Sequence, residues 1–218
     1  MIALLYHDVI ADALANESGF PGPDANHYKL SPDVFQAHLM AVPSNAANVL
    51  FTFDDGGASA LDPCADLLES SGVRGLFFVP SDWIGHAGFS TASDLRTLHH
   101  RGHMVGSHSA SHPVPISALS DSQLAREWQV SRERLEQVLG AAVTDASVPG
   151  GFTSSRVEAA AAEAGYTRLF TSQPRRSERT VSGMKVFGRF SVTRSTSLDT
   201  VSKVLAGDGL PWTRQAVL

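Results

Sequence analysis

Apolar residues in this chain fall into two patterns. Short continuous blocks at 2–6, 49–53, 75–79, 104–105, 146–148, 169–171 and 186–192 predict buried strands. Between them, apolar residues recur every three or four positions and predict helices. Residues 31–40 place Phe35, Leu39 and Met40 on one face, behind a Ser31 N-cap and Pro32 at the first helical position. Residues 61–71 turn Leu67 and Leu68 inward, and 91–101 do the same with Leu95 and Leu98. The longest periodic stretch, 120–139, carries Leu124, Trp128, Val130 and Leu135 and stops at Gly140. An Ala-rich helix is expected over 154–164, ending at Gly165, and a last one over 198–205. Residues 11–30 read as a long loop, and 173–183, with Arg175-Arg176, as a solvated one. Strands alternating with helices predict an α/β fold with a mainly parallel sheet. Six or seven such units favour a barrel over an open sheet, in a single domain over 1–218. The tail at Pro211-Trp212 packs back on the barrel or serves a partner.

Composition narrows the field. An apolar fraction of 43% is ample for a core. A net charge of -5 leaves no basic footprint for nucleic acid. Cys64 is the only cysteine, so no intrachain disulfide forms. The first residues lack a basic leader and a long apolar run, and nothing approaches the roughly 20 apolar residues of a membrane span. The expectation is a soluble, cytoplasmic protein.

Two motifs carry candidate chemistry. Thr52-Phe53-Asp54-Asp55-Gly56 ends a predicted strand, at the end that faces the active site in α/β barrels. Alone, Asp-Asp-Gly is also an ordinary turn and helix cap. His108-Ser109-Ala110-Ser111-His112-Pro113 places two imidazoles four positions apart, on one face if the segment is a helical turn. Together the motifs can hold one divalent metal and leave a carboxylate beside it, the minimum for activating water.

These two motifs resemble those of the polysaccharide deacetylase family, the NodB-like carbohydrate esterases of family 4. Leu98-His99-His100-Arg101-Gly102-His103 and Glu163-Ala164-Gly165-Tyr166 look familial too, so the resemblance covers nearly the whole chain. It implies an irregular (β/α)7-type barrel. It also implies that Asp54 is the catalytic base, and that Asp55, His108 and His112 bind zinc or another divalent ion such as Ni²⁺ or Co²⁺.

Two departures stand out. The family's third motif normally begins with an Arg that holds the base; here Ser147 stands in its place, in Ser147-Val148-Pro149-Gly150-Gly151-Phe152. Pro149-Gly150 can still present a backbone N–H to a developing oxyanion, and Arg189 is a candidate replacement for the missing Arg. The family also ends on a strand whose His is the general acid, yet no His follows His112. Leu4-Leu5-Tyr6-His7-Asp8 looks like that closing strand moved to the front, as in circularly permuted members. On that resemblance His7 is the general acid.

The function expected is metal-dependent removal of acetyl groups from an N-acetylated amino sugar or polysaccharide. An O-acetyl esterase, a cyclic amide hydrolase and an inactive carbohydrate-binding relative stay open as alternatives. Of the remaining candidates, Trp83 and Phe152 are placed in the core more readily than against a sugar. His27 is expected in a plain loop, and His103 packs at a strand start.

Overall fold

A computed structural model describes residues 1–42 and 49–206; the Pro211-Trp212 tail lies outside them. The predicted strands form as β1 (Ile2–Tyr6), β2 (Val49–Phe53), β3 (Gly75–Val79), β4 (Met104–Ser107), β5 (Asp145–Ser147) and β6 (Arg168–Phe170). These six lie side by side in sequence order, each parallel to the next.

The predicted strand at 186–192 proves to be two, β8 (Met184–Phe187) and β9 (Phe190–Ser191), and their partners explain why. β8 pairs with β6, while β9 pairs with β1 at the opposite edge. In a flat sheet, seven strand spacings of about 4.8 Å would hold them about 34 Å apart. Only Gly188 and Arg189 lie between them, and three peptide steps reach at most about 11 Å. The sheet is therefore curled until its two ends meet on one extended segment, which pairs first with β6 and then with β1. Counting that segment once, seven parallel positions surround the axis.

The supposed loop at 173–183 contains β7 (Arg179–Val181), antiparallel to β8 at the outer edge. Its polar sequence concealed it. Arg179 is held there by a two-pronged ion pair to Glu158, and Arg176 of the supposedly solvated pair donates to the Val204 carbonyl.

The helices are α1 (Pro23–Asn26), α2 (Pro32–Met40), α3 (Asp66–Ser70), α4 (Ala92–His100), α5 (Asp121–Leu139), α6 (Ser155–Glu163) and α7 (Leu198–Ala206). Polar side chains start them. Ser31 caps α2 as expected; Ser154 caps α6, and Thr91 and Ser120 form full capping boxes at α4 and α5. Met40, expected inward, is 78% exposed because α2 ends there and its buried face is completed by Phe35 and Leu39. Residues 11–30 are not plain loop: they contain a helical turn at Asp12–Glu17 as well as α1.

Strand side chains alternate between two cores. Phe51, Phe77, Val105, Ala146 and Leu169 face the helices and pack with Phe35, Leu68, Leu95 and Trp128. Leu76, Phe78, Phe170 and Phe187 fill the inside of the curl. The C-terminal strand ends all open on one mouth, which gathers the polar residues that follow.

Candidate active site

Two strand-end hydrogen bonds aim the carboxylates and the first imidazole. The Asp54 N–H donates to Tyr6 O at 3.0 Å, extending the β1–β2 ladder, and the His108 N–H donates to Val79 O at 2.9 Å. Asp55 then leaves the ladder with a φ of 72°. Ser109 and His112 are also left-handed, at 63° and 61°. Among the described residues other than glycine, only Ser182 shares this property outside the site, so backbone strain is concentrated here.

The left-handed residues also correct an expectation. His108 and His112 do not share a helical turn; they sit on an irregular loop folded back on itself, which brings their rings to 4.9 Å. Helical spacing and this loop produce the same proximity by different routes. The loop is held from outside by Glu127 of α5. Its carboxylate accepts the N–H groups of Ala110 (2.9 Å) and Ser111 (2.8 Å) and the Ser111 hydroxyl (2.7 Å). Sequence inspection missed Glu127, which lies beside the inward Trp128 and has no motif around it. We expect Glu127→Ala to weaken metal affinity about 10–100-fold, as loss of outer support does elsewhere; calorimetric titration of the apoprotein with zinc checks this.

Asp55, His108 and His112 form a group able to hold a metal, with ligand atoms all within 4.8 Å of one another. Asp55 Oδ1 lies 3.4 Å from His108 Nε2 and 3.2 Å from His112 Nε2. Ligands about 2.0–2.1 Å from a tetrahedral zinc stand roughly 3.3 Å apart. The donor set, one carboxylate and two imidazoles, is also a zinc-type set, so residues and group fit. Burial pushes the Asp55 carboxyl up, but hydrogen bonds from His108 and His112 and the nearby imidazole charges hold it well below the usual range. His112 is raised: burial lowers it, and the Asp55 carboxylate outweighs that.

Asp54 stands outside this group, with Oδ2 3.8 Å from His108 Nε2. Arg189 grips it with two parallel hydrogen bonds, Nη1 to Oδ1 and Nη2 to Oδ2, both 2.7 Å. The guanidinium is fully buried, donates further to Thr52 Oγ1 and Thr171 O, and lies over the Phe78 ring. It reaches Asp54 because it sits at the seam where the extended segment passes from β6 to β1. Burial raises the Asp54 carboxyl, and the Arg189 charge, then His108, more than reverse this and leave it below its ordinary value. Ser147 stands 3.0 Å from Asp54 Oδ1 and 2.5 Å from His108 Nδ1, joining the two.

His7 extends from β1 with Nε2 4.0 Å from Asp55 Oδ2, and its ring lies 4.8 Å from that of Tyr28. Its Nδ1 is buried without a hydrogen-bond partner among the described residues. A cavity of about 630 Å³ is lined by His7, Asp54, Asp55, His108, His112 and Gly150. Pro149 is buried and does not line it. His27, expected in a plain loop, does line it, alongside Tyr28 and Phe20. Trp83 and Phe152 do not: Trp83 packs on Phe20 and Phe89, behind the wall. His103 is packed as expected, accepting from the Gly75 N–H and paired with Glu69.

Fold and site together define an α/β barrel with a candidate mononuclear metal centre and a second, arginine-held carboxylate at its mouth. The family model for polysaccharide deacetylase matches residues 41–169, more than half of the chain, and the chain belongs to that family. The matched stretch contains Asp54, Asp55, His108, His112 and Gly150; His7 and Arg189 lie outside it. A chitin deacetylase of Arthroderma benhamiae is 31% identical over 101 residues, 46% of this chain and 25% of that protein. The chain spans about half or less of the length of the curated relatives it matches. Two solved structures share the fold. The Streptococcus pyogenes deacetylase PplD, in complex with acetate, has a TM-score of 0.76 at 16% identity, covering 94% of this chain and 97% of that one. IcaB from Ammonifex degensii also has a TM-score of 0.76, at 18% identity, covering 94% and 96%. Among the described residues, no helix is long and apolar enough to cross a membrane.

Proposed function

We propose that this protein is a metal-dependent hydrolase that removes acetyl groups from an N-acetylated amino sugar or polysaccharide. The observation that carries this reading is the division of labour between the two adjacent aspartates. Asp55 faces the imidazoles, whereas Asp54 is kept ionised by Arg189 and left free beside them. A divalent ion, zinc or alternatively nickel or cobalt, held by Asp55, His108 and His112 supplies Lewis acidity and a lower pKa for water.

Asp54 accepts the proton of the water that attacks the acetyl carbon. The backbone at Gly150, on the cavity wall, faces the developing oxyanion. His7, on the same cavity, donates a proton to the nitrogen as the C–N bond breaks, releasing acetate and a free amine. β1 then does the work of the family's closing strand: it lies directly beside β2, where the parallel ladder sets Tyr6 opposite Phe53 and so brings His7 next to Asp54. This supports a circularly permuted arrangement.

The test is metal content measured beside acetate release. We expect about one zinc per chain in the purified protein, lost in His108→Ala and Asp55→Ala. His7→Ala is expected to keep the metal and lose turnover of N-acetylated oligosaccharides. A native protein that takes up no metal when zinc is supplied would sink the mechanism. Faster acetate release from O-acetyl than from N-acetyl sugars would move the activity to an esterase.

A further inference from the structure

The cavity has one wall that the chemistry above does not use. It is built by residues 20–28, which contribute Phe20, Pro23, Asp24, Ala25, His27 and Tyr28. Phe20 packs on His112 at 4.7 Å and Tyr28 on His7 at 4.8 Å, so this wall also touches the site. Its sequence is rich in Gly, Pro, Asp and Asn, and its one α-helix, α1, is four residues long. Something else must hold it.

Beneath it lies Lys29, with a side chain only 2% exposed. Its ammonium donates to the carbonyls of Ala15 (2.7 Å), Ser18 (2.5 Å) and Phe20 (2.7 Å). Those are the three donors a lysine possesses, all spent on backbone of the same segment. The Asp8 carboxylate, 3.9 Å away, supplies the countercharge. Asp8 in turn accepts the hydroxyls of Ser18 (2.5 Å) and Ser59 (2.7 Å). It also excludes side chains around it: a Cβ on Gly57 would collide with Asp8 Oδ1, and one on Gly19 with Oδ2. The pair therefore joins three pieces of the site: the end of β1 just past His7, the turn after Asp55, and the wall segment.

We propose that the Lys29 ammonium is a built-in monovalent cation in a cage of carbonyl and carboxylate oxygens, and that this cage fixes residues 12–28 as the roof of the substrate cavity. Lys29 is thus a positioning residue for substrate binding. The substrate half of this inference rests on the function proposed above; the cage does not. Three inward carbonyls and a carboxylate left without their cation are costly in a buried place, so removing the ammonium should release the roof while leaving the barrel intact.

The experiment uses the full zinc-loaded chain and the variant Lys29→Ala. Alanine removes three methylenes and the ammonium, the atoms of n-propylammonium. By hydrogen exchange, residues 12–30 are expected to exchange at least about tenfold faster, with 49–56 and 104–112 unchanged. Millimolar n-propylammonium should restore protection, and tetramethylammonium, which has no N–H, should not. In the same variant KM for an N-acetylated oligosaccharide is expected to rise about tenfold with kcat changed less than about threefold, because the roof binds substrate and the reacting groups stay in place. Unchanged exchange over 12–30, or loosening that propylammonium leaves as it is, overturns the cage. Loosened and rescued exchange with an unchanged KM overturns the substrate role alone. If Lys29→Ala does not fold, Ser18→Ala keeps the ammonium but removes an Asp8 tether. It should loosen 12–30 about threefold, and wild-type exchange there would refute the proposal.

Discussion

Asp54→Asn is expected to keep its metal and lose about 10²–10⁴-fold in turnover, the range that a positioned general base contributes. The substitution hardly changes shape, and Asp55, His108 and His112 retain their mutual distances of 3.2 and 3.4 Å. What disappears is an acceptor for the proton of water. Arg189 also loses half of its grip, since an amide presents one oxygen to a guanidinium where a carboxylate presents two. The variant is therefore less stable, and the comparison must be made well below both melting temperatures. Zinc content and acetate release from one preparation decide the matter. A near-normal rate would remove Asp54 as the base, and loss of zinc would place it among the ligands instead.

The sequence was most readable where local chemistry dictates local structure. Short apolar blocks became strands because their residues are buried on both faces of a curled sheet, and Ser31 became a cap because its side-chain oxygen accepts one of the first free N–H groups of α2. The two motifs were legible for a similar reason, since the residues they bring together are close in sequence or lie at the C-terminal ends of two strands, β2 and β4, of one parallel sheet. Partnerships made by curvature were not legible. Nothing in residues 184–191 announces that the segment changes partner at Gly188-Arg189, so one strand was expected. Arg189 could be named only because Ser147 stood where an Arg was missing; its contact with Asp54 depends on the seam. Glu127 and Lys29 gave no signal at all, because their partners are backbone groups that the tertiary fold delivers.

The second large effect is expected at that seam. Arg189→Met keeps most of the volume and removes the charge, leaving Asp54 buried with, among the described residues, only the Ser147 side chain to bond to. Breaking one side of a buried pair costs about 3–5 kcal/mol, so the melting temperature should fall sharply. The pH dependence should change sign as well. In the native protein the Asp54 carboxyl lies below its ordinary value, so the carboxylate contributes stability that is full above the unfolded pKa of about 3.9 and is lost as pH falls through the folded value. Without Arg189, burial, the largest influence, is opposed only by His108 and His7, and the folded pKa is expected to rise above the unfolded one. The unfolded chain then loses its proton first, and stability falls as pH rises above about 4. Melting curves of both proteins between about pH 2 and 8, recorded without metal, test this directly. Arg189→Lys should recover little, because a single ammonium cannot reproduce two parallel bonds and the contacts to Thr52, Thr171 and Phe78. If Arg189→Met melts like the native protein with the same pH slope, Asp54 is held by something other than this arginine. Ser147, among the described residues the one other side chain that donates a hydrogen bond to Asp54, would then inherit the role.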